Sequence, residues 1–279
     1  MFGQLTFSRH YLMNTQGESQ SMPVVIMCGG KGTRLREETE YKPKPMVEIG
    51  GYPILWHIMK IYAHYGYTNF ILCLGYRGTA IKEYFLNHHL YTKDFQLNLS
   101  ENSHQVLNPD STEKFNITFA DTGEDTLTAE RLLKVEKYLH GDAFMLTYGD
   151  GVSNIDLDAL RKHHEEQHHT HGTIGTITGI HPKSKYGLVE MNEHNIITKF
   201  QEKPQLSDYT NGGFMVLTKA FLPYCKPGEM VEESLIKACA DGKISLYEHE
   251  GFWHSMDTYK DKEDLEKLWN STPHWKIWN

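Results

Sequence analysis

The sequence predicts an α/β fold: a mostly parallel central sheet flanked by helices, plus a small β-rich and helical C-terminal part. Three observations carry this. Short apolar runs, such as Val24–Met27 and Asn69–Leu74, alternate with stretches of helical period. Strand, helix, strand, helix at this spacing requires crossover connections, and crossovers build parallel sheets. The first run ends in Gly29, Gly30 and Gly32, three glycines in four positions. Such a turn suits the carboxyl end of a parallel strand, where ligands of these sheets bind.

Residues 1–21 are polar and mixed, without the charged start and apolar core of a signal peptide, and read as a loose leader. Residues 22–279 read as one domain. Val24–Met27 is a buried strand run. Pro53 opens a helix through about Tyr65, with Ile54, Ile58 and Ile61 spaced for one buried face, and Gly66 stops it. Asn69–Leu74 is the second strand and Gly78–Asn87 the second helix. Residues 88–114 break the rhythm and read as an insertion, surface-exposed or at a subunit contact. Phe115–Phe119 alternates as a strand. Thr128 is placed as the N-cap of a helix running to about Leu139. Ala143–Thr147 is a strand that ends in Tyr148-Gly149-Asp150-Gly151. A helix follows from Asp156 to about His169. Gly172–Ile180, Tyr186–Met191 and Ile196–Phe200 then read as a meander, and Asn211–Leu217 as a strand. Met230–Ala240 is a helix and Lys243–His249 a strand. The tail, about residues 259–279, is helical from about Tyr259 to Trp269 and carries Trp269, Trp275 and Trp278.

At 279 residues the chain is long enough for one large α/β domain or a domain plus an appendage. A net charge of −8 argues against general nucleic-acid binding. No apolar run approaches a membrane span, so no membrane partner is expected. The four cysteines, Cys28, Cys73, Cys225 and Cys239, form no C-x-x-C unit. Cys28 and Cys73 end apolar runs and read as buried thiols, which fits a reducing cytoplasm.

The basic residues gather locally at the glycine turn. Lys31, Arg34 and Arg36 lie in it, and Lys42 and Lys44 follow, set around Pro43 and Pro45. Bare amides with several cations suit a polyphosphate. The string has neither the G-x-G-x-x-G spacing of a dinucleotide turn nor the G-K-[ST] of a Walker loop. Asp150 stands between two glycines just past a central strand. There it either closes a tight turn or reaches a metal on the face of the first loop. His164-Glu165-Glu166-Gln167-His168 matches H-E-x-x-H, a pattern that on a helix can hold zinc. Its polar neighbours make it read as a solvated crossover face, and no third ligand is signalled.

Taken together, G-G-x-G-T-R-L at Gly29–Leu35 followed by K-P-K-P-M at Lys42–Met46 resembles the sugar-phosphate nucleotidyltransferases. K-Y-G-x-V-E from Lys185, F-x-E-K-P from Phe200, N-G-G-F from Asn211 and M-D-T from Met256 follow in that family's order. The resemblance covers roughly Pro23 to the C-terminus. E-T-E-Y-K-P-K-P-M-V-E-I-G-G, C-x-G-Y-R-G and D-T-G point to its cytidylyltransferase branch. Two departures stand out: Glu232-Glu233-Ser234-Leu235 where E-P-L is usual, and Thr128-Ala129-Glu130-Arg131 where T-G-G-R is usual.

The resemblance implies a Rossmann-like nucleotidyltransferase fold and a transfer from CTP to a sugar 1-phosphate, glucose 1-phosphate in that branch, releasing pyrophosphate. It implies Mg²⁺ held by Asp150 and Asp257, with Arg34, Lys44 and Lys203 as catalytic cations. It places Cys28, Gly29, Gly30, Gly32, Thr33, Arg34, Lys44, Gly75, Thr122, Gly123, Arg131 and Asp150 around the nucleotide. Tyr148, Tyr186, Gly187, Glu202, Lys203, Asn211 and Gly212 fall on the sugar-phosphate side. A cytoplasmic homo-oligomer is expected on the same basis. Two other classes stand beside this reading: a regulatory protein that binds a nucleotide sugar without turnover, and a zinc hydrolase built on His164 and His168.

Overall fold

The structure, a computed structural model, describes residues 22–107, 113–184 and 186–278. The leader expected at residues 1–21 lies outside the described residues. Seven strands form the central sheet: β1 (Val24–Met27), β2 (Asn69–Leu74), β3 (Asn116–Asp121), β4 (Ala143–Tyr148), β5 (Gly175–Ile180), β6 (Thr210–Thr218) and β7 (Ile244–His249). Their order is β7-β5-β6-β4-β1-β2-β3. Only β6 runs against the rest, antiparallel to both β4 and β5. The mostly parallel sheet expected from the sequence is therefore present.

Six helices cover the sheet: α1 (Ile54–His64), α2 (Gly78–Leu86), α3 (Thr128–Val135), α4 (Leu157–His171), α5 (Val231–Ala240) and α6 (Tyr259–Trp269). The pleat sorts the strand residues between two cores. Val24, Ile26, Phe70, Leu72 and Met145 face the layer of α1, α2, α4 and the C-terminal tail. Val25, Met27, Ile71, Phe144 and Leu146 face α3 and α5. A strand buried on both faces reads as an unbroken apolar run, which is how β1 and β2 announce themselves.

Sheet order reverses at β1, which has β2 on one side and β4 on the other. β1 to β4 all point the same way. The loops after Met27, Leu74, Asp121 and Tyr148 therefore gather at one edge, outside the carboxyl ends of the strands.

Several expectations are corrected. The three-strand meander does not form. β5 enters the central sheet because Gly175 and Gly179 let Leu217, Ile244 and Leu246 pack onto it. Only Leu188–Met191 and Ile197–Gln201 pair with each other, as an exposed hairpin. Within the insertion, a short helix at His88–Thr92 and an exposed hairpin, Phe95–Asn98 with Ser103–Val106, are present. Thr128 does not cap its own helix, whose N-cap is Leu127. Its hydroxyl instead accepts from the Val231 amide at 2.8 Å, at the first residue of α5. A tertiary partner took the side chain that local chemistry had assigned to the cap.

Candidate active site

The K-P-K-P string shows how the sequence builds the site. Pro43 is extended (φ −68°, ψ 150°), and Lys44–Met46 form one tight turn after it. The two prolines fix the backbone on either side of Lys44. Gly32, at φ 61°, lets the glycine turn close over this lysine: a Cβ there would stand 3.0 Å from the Cβ of Lys44. The lysine side chain, only 12% exposed, runs beneath the turn.

Asp150 and Asp257 arrive from distant parts of the chain. Gly151–Ser153 pairs antiparallel with Trp253–Ser255, and the Met256 amide donates to the Asp150 carbonyl at 2.8 Å. This short ladder sets the two carboxylates side by side. Lys44 Nζ bridges them, 2.6 Å from Asp150 Oδ2 and 2.8 Å from Asp257 Oδ1. Arg34 Nη2 lies 2.8 Å from the same Asp257 oxygen. Burial opposes ionisation of Asp257, yet Lys44 and Arg34 outweigh it and hold its carboxyl below the usual range. The two aspartates likewise raise the Lys44 ammonium against the effect of burial.

A cleft of about 410 Å³ opens above this quartet. Its walls include Cys28, Gly29, Gly30, Gly32, Thr33, Arg34, Lys44, Arg131, Tyr148, Asp150 and Asp257, all expected from the sequence. A hollow elsewhere, near Lys134 and Lys219, is larger at about 480 Å³ but holds none of the motif residues.

Gly75, Thr122 and Gly123 are not on the cleft wall: Arg131 fills the space in front of Gly75 and Thr122, and Gly123 lies against Thr126. Its guanidinium donates to the carbonyls of Leu74 (2.9 Å), Gly29 (3.1 Å) and Glu124 (3.2 Å) and to Thr122 Oγ1 (2.6 Å). Gly29 and Gly75 are glycines for this reason: a Cβ would fall 2.1 Å and 2.6 Å from the guanidinium. Among the described residues no carboxylate forms an ion pair with Arg131, so its hydrogen bonds go to oxygen dipoles beside the cleft. Burial pulls its pKa down.

The sugar-side candidates fall into two groups. Tyr148 lines the cleft, its phenol donating to Glu232 Oε1 at 2.5 Å and its ring lying over Gly213. The phenol also feels the Asn211 amide. Gly212 follows, its carbonyl accepting from Trp253 Nε1 at 2.7 Å. Tyr186, Gly187, Glu202 and Lys203 sit instead at the exposed root of the hairpin, outside the cleft lining. There the Glu202 carboxylate lies against Gly187, and Lys203 holds a left-handed backbone (φ 47°) 3.9 Å from Glu202. Two other early cations turn away: Lys31 pairs with Asp125 at 2.7 Å, and Lys42 with Glu38 and Glu48.

Sequence reasoning missed Met27, Pro45, Thr126, Leu127, Thr128, Gly149 and Met230, which complete the cleft. A signal did exist. Leu127 and Met230 occupy the N-cap positions of α3 and α5, where Ser, Thr, Asp or Asn is preferred. Apolar residues thus stand at two abutting helix starts and form one wall of the cleft.

His164 and His168 do not form a metal centre. His164 is buried, its Nδ1 3.0 Å from Thr176 Oγ1, and His168 Nδ1 meets the Thr173 carbonyl. The solvated face expected here is corrected: Leu157, Leu160 and His164 form the buried stripe of α4. Among the described residues no group of three or more His, Cys, Asp or Glu could hold a metal. Two carboxylates converging on one cation do fit a hard, oxygen-preferring ion that completes its shell with phosphate oxygens and water.

Residues 23–257 match the family model of nucleotidyl transferases. The chain is 44% identical over 261 residues to the probable glucose-1-phosphate cytidylyltransferase of Bacillus subtilis, covering 92% of this chain and all of that one. It is 42% identical to the glucose-1-phosphate cytidylyltransferase of Salmonella typhimurium, again over 92% of this chain and all of the relative. In fold it is similar to a UDP-glucose pyrophosphorylase solved with UDP-glucose (TM-score 0.63, 16% identity, 89% of this chain and 98% of that one). No helix among the described residues is long and apolar enough to cross a membrane.

Proposed function

The chain belongs to the nucleotidyl transferase family, and from that premise we propose that it transfers a cytidylyl group from CTP to glucose 1-phosphate. The products are CDP-glucose and pyrophosphate. An oxygen of the sugar phosphate forms a bond to the α-phosphorus while the bond from that phosphorus to the pyrophosphate oxygen breaks in line. No side-chain nucleophile is needed, so the protein's work is positioning and charge stabilisation.

The observation that carries this reading is the quartet of Arg34, Lys44, Asp150 and Asp257 beneath the glycine turn. The amides of Gly29 to Thr33 and the Arg34 guanidinium hold the triphosphate. Lys44 presents its ammonium to the phosphates at the reacting centre. Asp150 and Asp257 would hold Mg²⁺, which supplies charge neutralisation between the two anionic substrates. The base lies against Leu127 and Met230, with Arg131 behind the glycine turn. Tyr148, Asn211 and Gly212 lead from the cleft toward the sugar, and Glu202 and Lys203 at the hairpin root take its hydroxyls and phosphate. Neither alternative class has comparable support. A binding-only protein has no use for the intact quartet, and the histidines of the zinc reading already have protein partners.

Choice of CTP over UTP or dTTP follows if a fixed carbonyl acceptor meets the exocyclic amine of cytosine and is left facing a carbonyl by the other bases. The Leu74, Gly29 and Glu124 carbonyls are already occupied by Arg131. The discriminating acceptor is therefore to be sought on the Thr126–Thr128 wall. Pyrophosphate release with CTP, UTP and dTTP at equal concentration, with glucose 1-phosphate and Mg²⁺, tests the proposal. CTP is expected to lead clearly. A lead for dTTP or UTP would keep the reaction class and reject the nucleotide, and no release with any of the three would reject the reaction.

A further inference from the structure

We propose that Lys44 is a built-in placeholder cation. Before substrate arrives, its ammonium holds the position between Asp150 and Asp257 that a divalent metal takes, so that metal enters together with the nucleotide. The inference rests on the reading above that these two carboxylates are the metal's ligands.

The argument starts from the backbone. Pairing of Gly151–Ser153 with Trp253–Ser255, continued by the Met256 amide on the Asp150 carbonyl, fixes the two aspartates as neighbours whatever is bound. Two carboxylates held together, with side chains only 28% and 20% exposed, repel unless a cation stands between them. Lys44 is that cation, within hydrogen-bond distance of both. With Arg34 on Asp257, the quartet carries two positive and two negative charges and is neutral as it stands.

A dication entering alone therefore finds no net charge to attract it. It must also break two short charge-assisted hydrogen bonds and leave a partly buried ammonium without partners. A triphosphate changes this balance. Its oxygens serve as further metal ligands and as new partners for the displaced Lys44 and for Arg34. The exchange requires no backbone movement, since Pro43 and Pro45 fix the chain while the four-carbon stem swings. Lysine suits the task because its ammonium is compact and its three donors turn freely, whereas a planar guanidinium would be locked in a fork.

Mn²⁺ alone is the probe, titrated into the nucleotide-free full chain, with the free ion read by electron paramagnetic resonance. Wild type is expected to bind weakly, and Lys44→Met to bind at least tenfold more tightly. Lys44→Gln carries the same expectation should the Met variant fail to fold. Lys44→Arg, which keeps the positive charge, is expected to stay weak. Equal Mn²⁺ affinity in wild type, Lys44→Met and Lys44→Gln overturns the placeholder role. Adding Asp150→Asn to Lys44→Gln should abolish the gain. A gain that persists there removes the ligand assignment itself, and the proposal with it.

Discussion

Arg131→Met is the substitution on which the architecture of the cleft makes its plainest quantitative statement. The guanidinium makes four hydrogen bonds, to Leu74 O, Gly29 O, Glu124 O and Thr122 Oγ1. Hydrogen bonds to a charged group contribute about 1.5–3 kcal/mol each, so the gross loss is large. Much of it is returned, because a guanidinium with no carboxylate partner carries a desolvation cost of several kcal/mol that methionine does not. The acceptors are not all orphaned either. Leu74 O keeps the Thr122 amide and hydroxyl, and Gly29 O keeps the Tyr76 amide at 3.2 Å. The balance is a loss of about 3 kcal/mol, which for a domain of this size lowers Tm by about 6–12 °C. If the cleft takes the nucleotide as proposed, removing the Arg131 charge should also raise the KM for the nucleotide by about tenfold, equivalent to about 1.4 kcal/mol. Differential scanning calorimetry and steady-state kinetics read the two effects separately. If Arg131→Met melted within a degree of wild type with an unchanged nucleotide KM, the guanidinium would be a passenger and the account of Gly29 and Gly75 would fail.

Asp150→Ala and Asp257→Ala should each remove most turnover while near-ultraviolet circular dichroism stays native, and full activity in Asp257→Ala would sink its assignment. Arg34→Ala should lower kcat/KM by about a hundredfold, as loss of one preorganised donor commonly does; a change confined to the sugar-phosphate KM would place the glycine turn on the wrong substrate. His164→Gln with His168→Gln should leave Mg²⁺-dependent synthesis near wild type at 25 °C and lower Tm, because Thr176 loses a buried partner; activity lost and then restored by zinc would revive the metallohydrolase. Acid should destabilise the fold through His57 and His164, both pushed down to about 4 by burial. The unfolded chain takes up these protons near pH 6.5 and the native chain does not, so stability is lost as pH falls from about 6.5 to 4, by up to about 3 kcal/mol for each histidine. Urea midpoints that hold level across that window would contradict the burial of both rings.

How much of this was legible in the sequence depended on how local the cause was. β1 and β2 were readable because strands buried on both faces have no polar alternation to confuse them. α6 was readable at about its observed bounds, and the Thr258–Asp261 capping box that the structure shows at its start is a local signal as well. The glycine-turn wall of the cleft was readable because its glycines, Arg34 and Lys44 lie close together in the chain. Failures came where a distant partner decided. Thr128 serves α5, not its own helix. His164 continues the Leu157–Leu160 stripe, but a histidine does not count as apolar until Thr176 is seen to satisfy it. The two three-residue strands that bring Asp150 to Asp257 are too short to show any period. Arg131 was expected near the base, but its role as the filling between Gly29 and Gly75 needs three loops in place at once.

Met256, Asp257 and Thr258 show why the motif near the C-terminus is contiguous. Met256 is fully buried in the core beneath α1. Thr258 is the N-cap of α6, its hydroxyl and amide both bonded to Asp261 Oδ2 (2.8 and 2.7 Å). The same Asp261 oxygen accepts from the Asp257 amide at 3.0 Å. The carboxylate facing Lys44 is thus carried on a backbone pinned from both sides, by a core residue before it and a helix cap after it. α6 is anchored in turn: Leu265 is buried, Lys262 pairs with Glu38, and Trp269 packs where a side chain at Gly50 would stand. Beyond it, Trp275 Nε1 donates to His57 Nδ1 at 3.3 Å, leaving Nε2 to donate to the Ile49 carbonyl. The tail, read from the sequence only as helical, is the support for one half of the carboxylate pair. Its distance from the glycine turn along the chain says nothing about its distance from the chemistry.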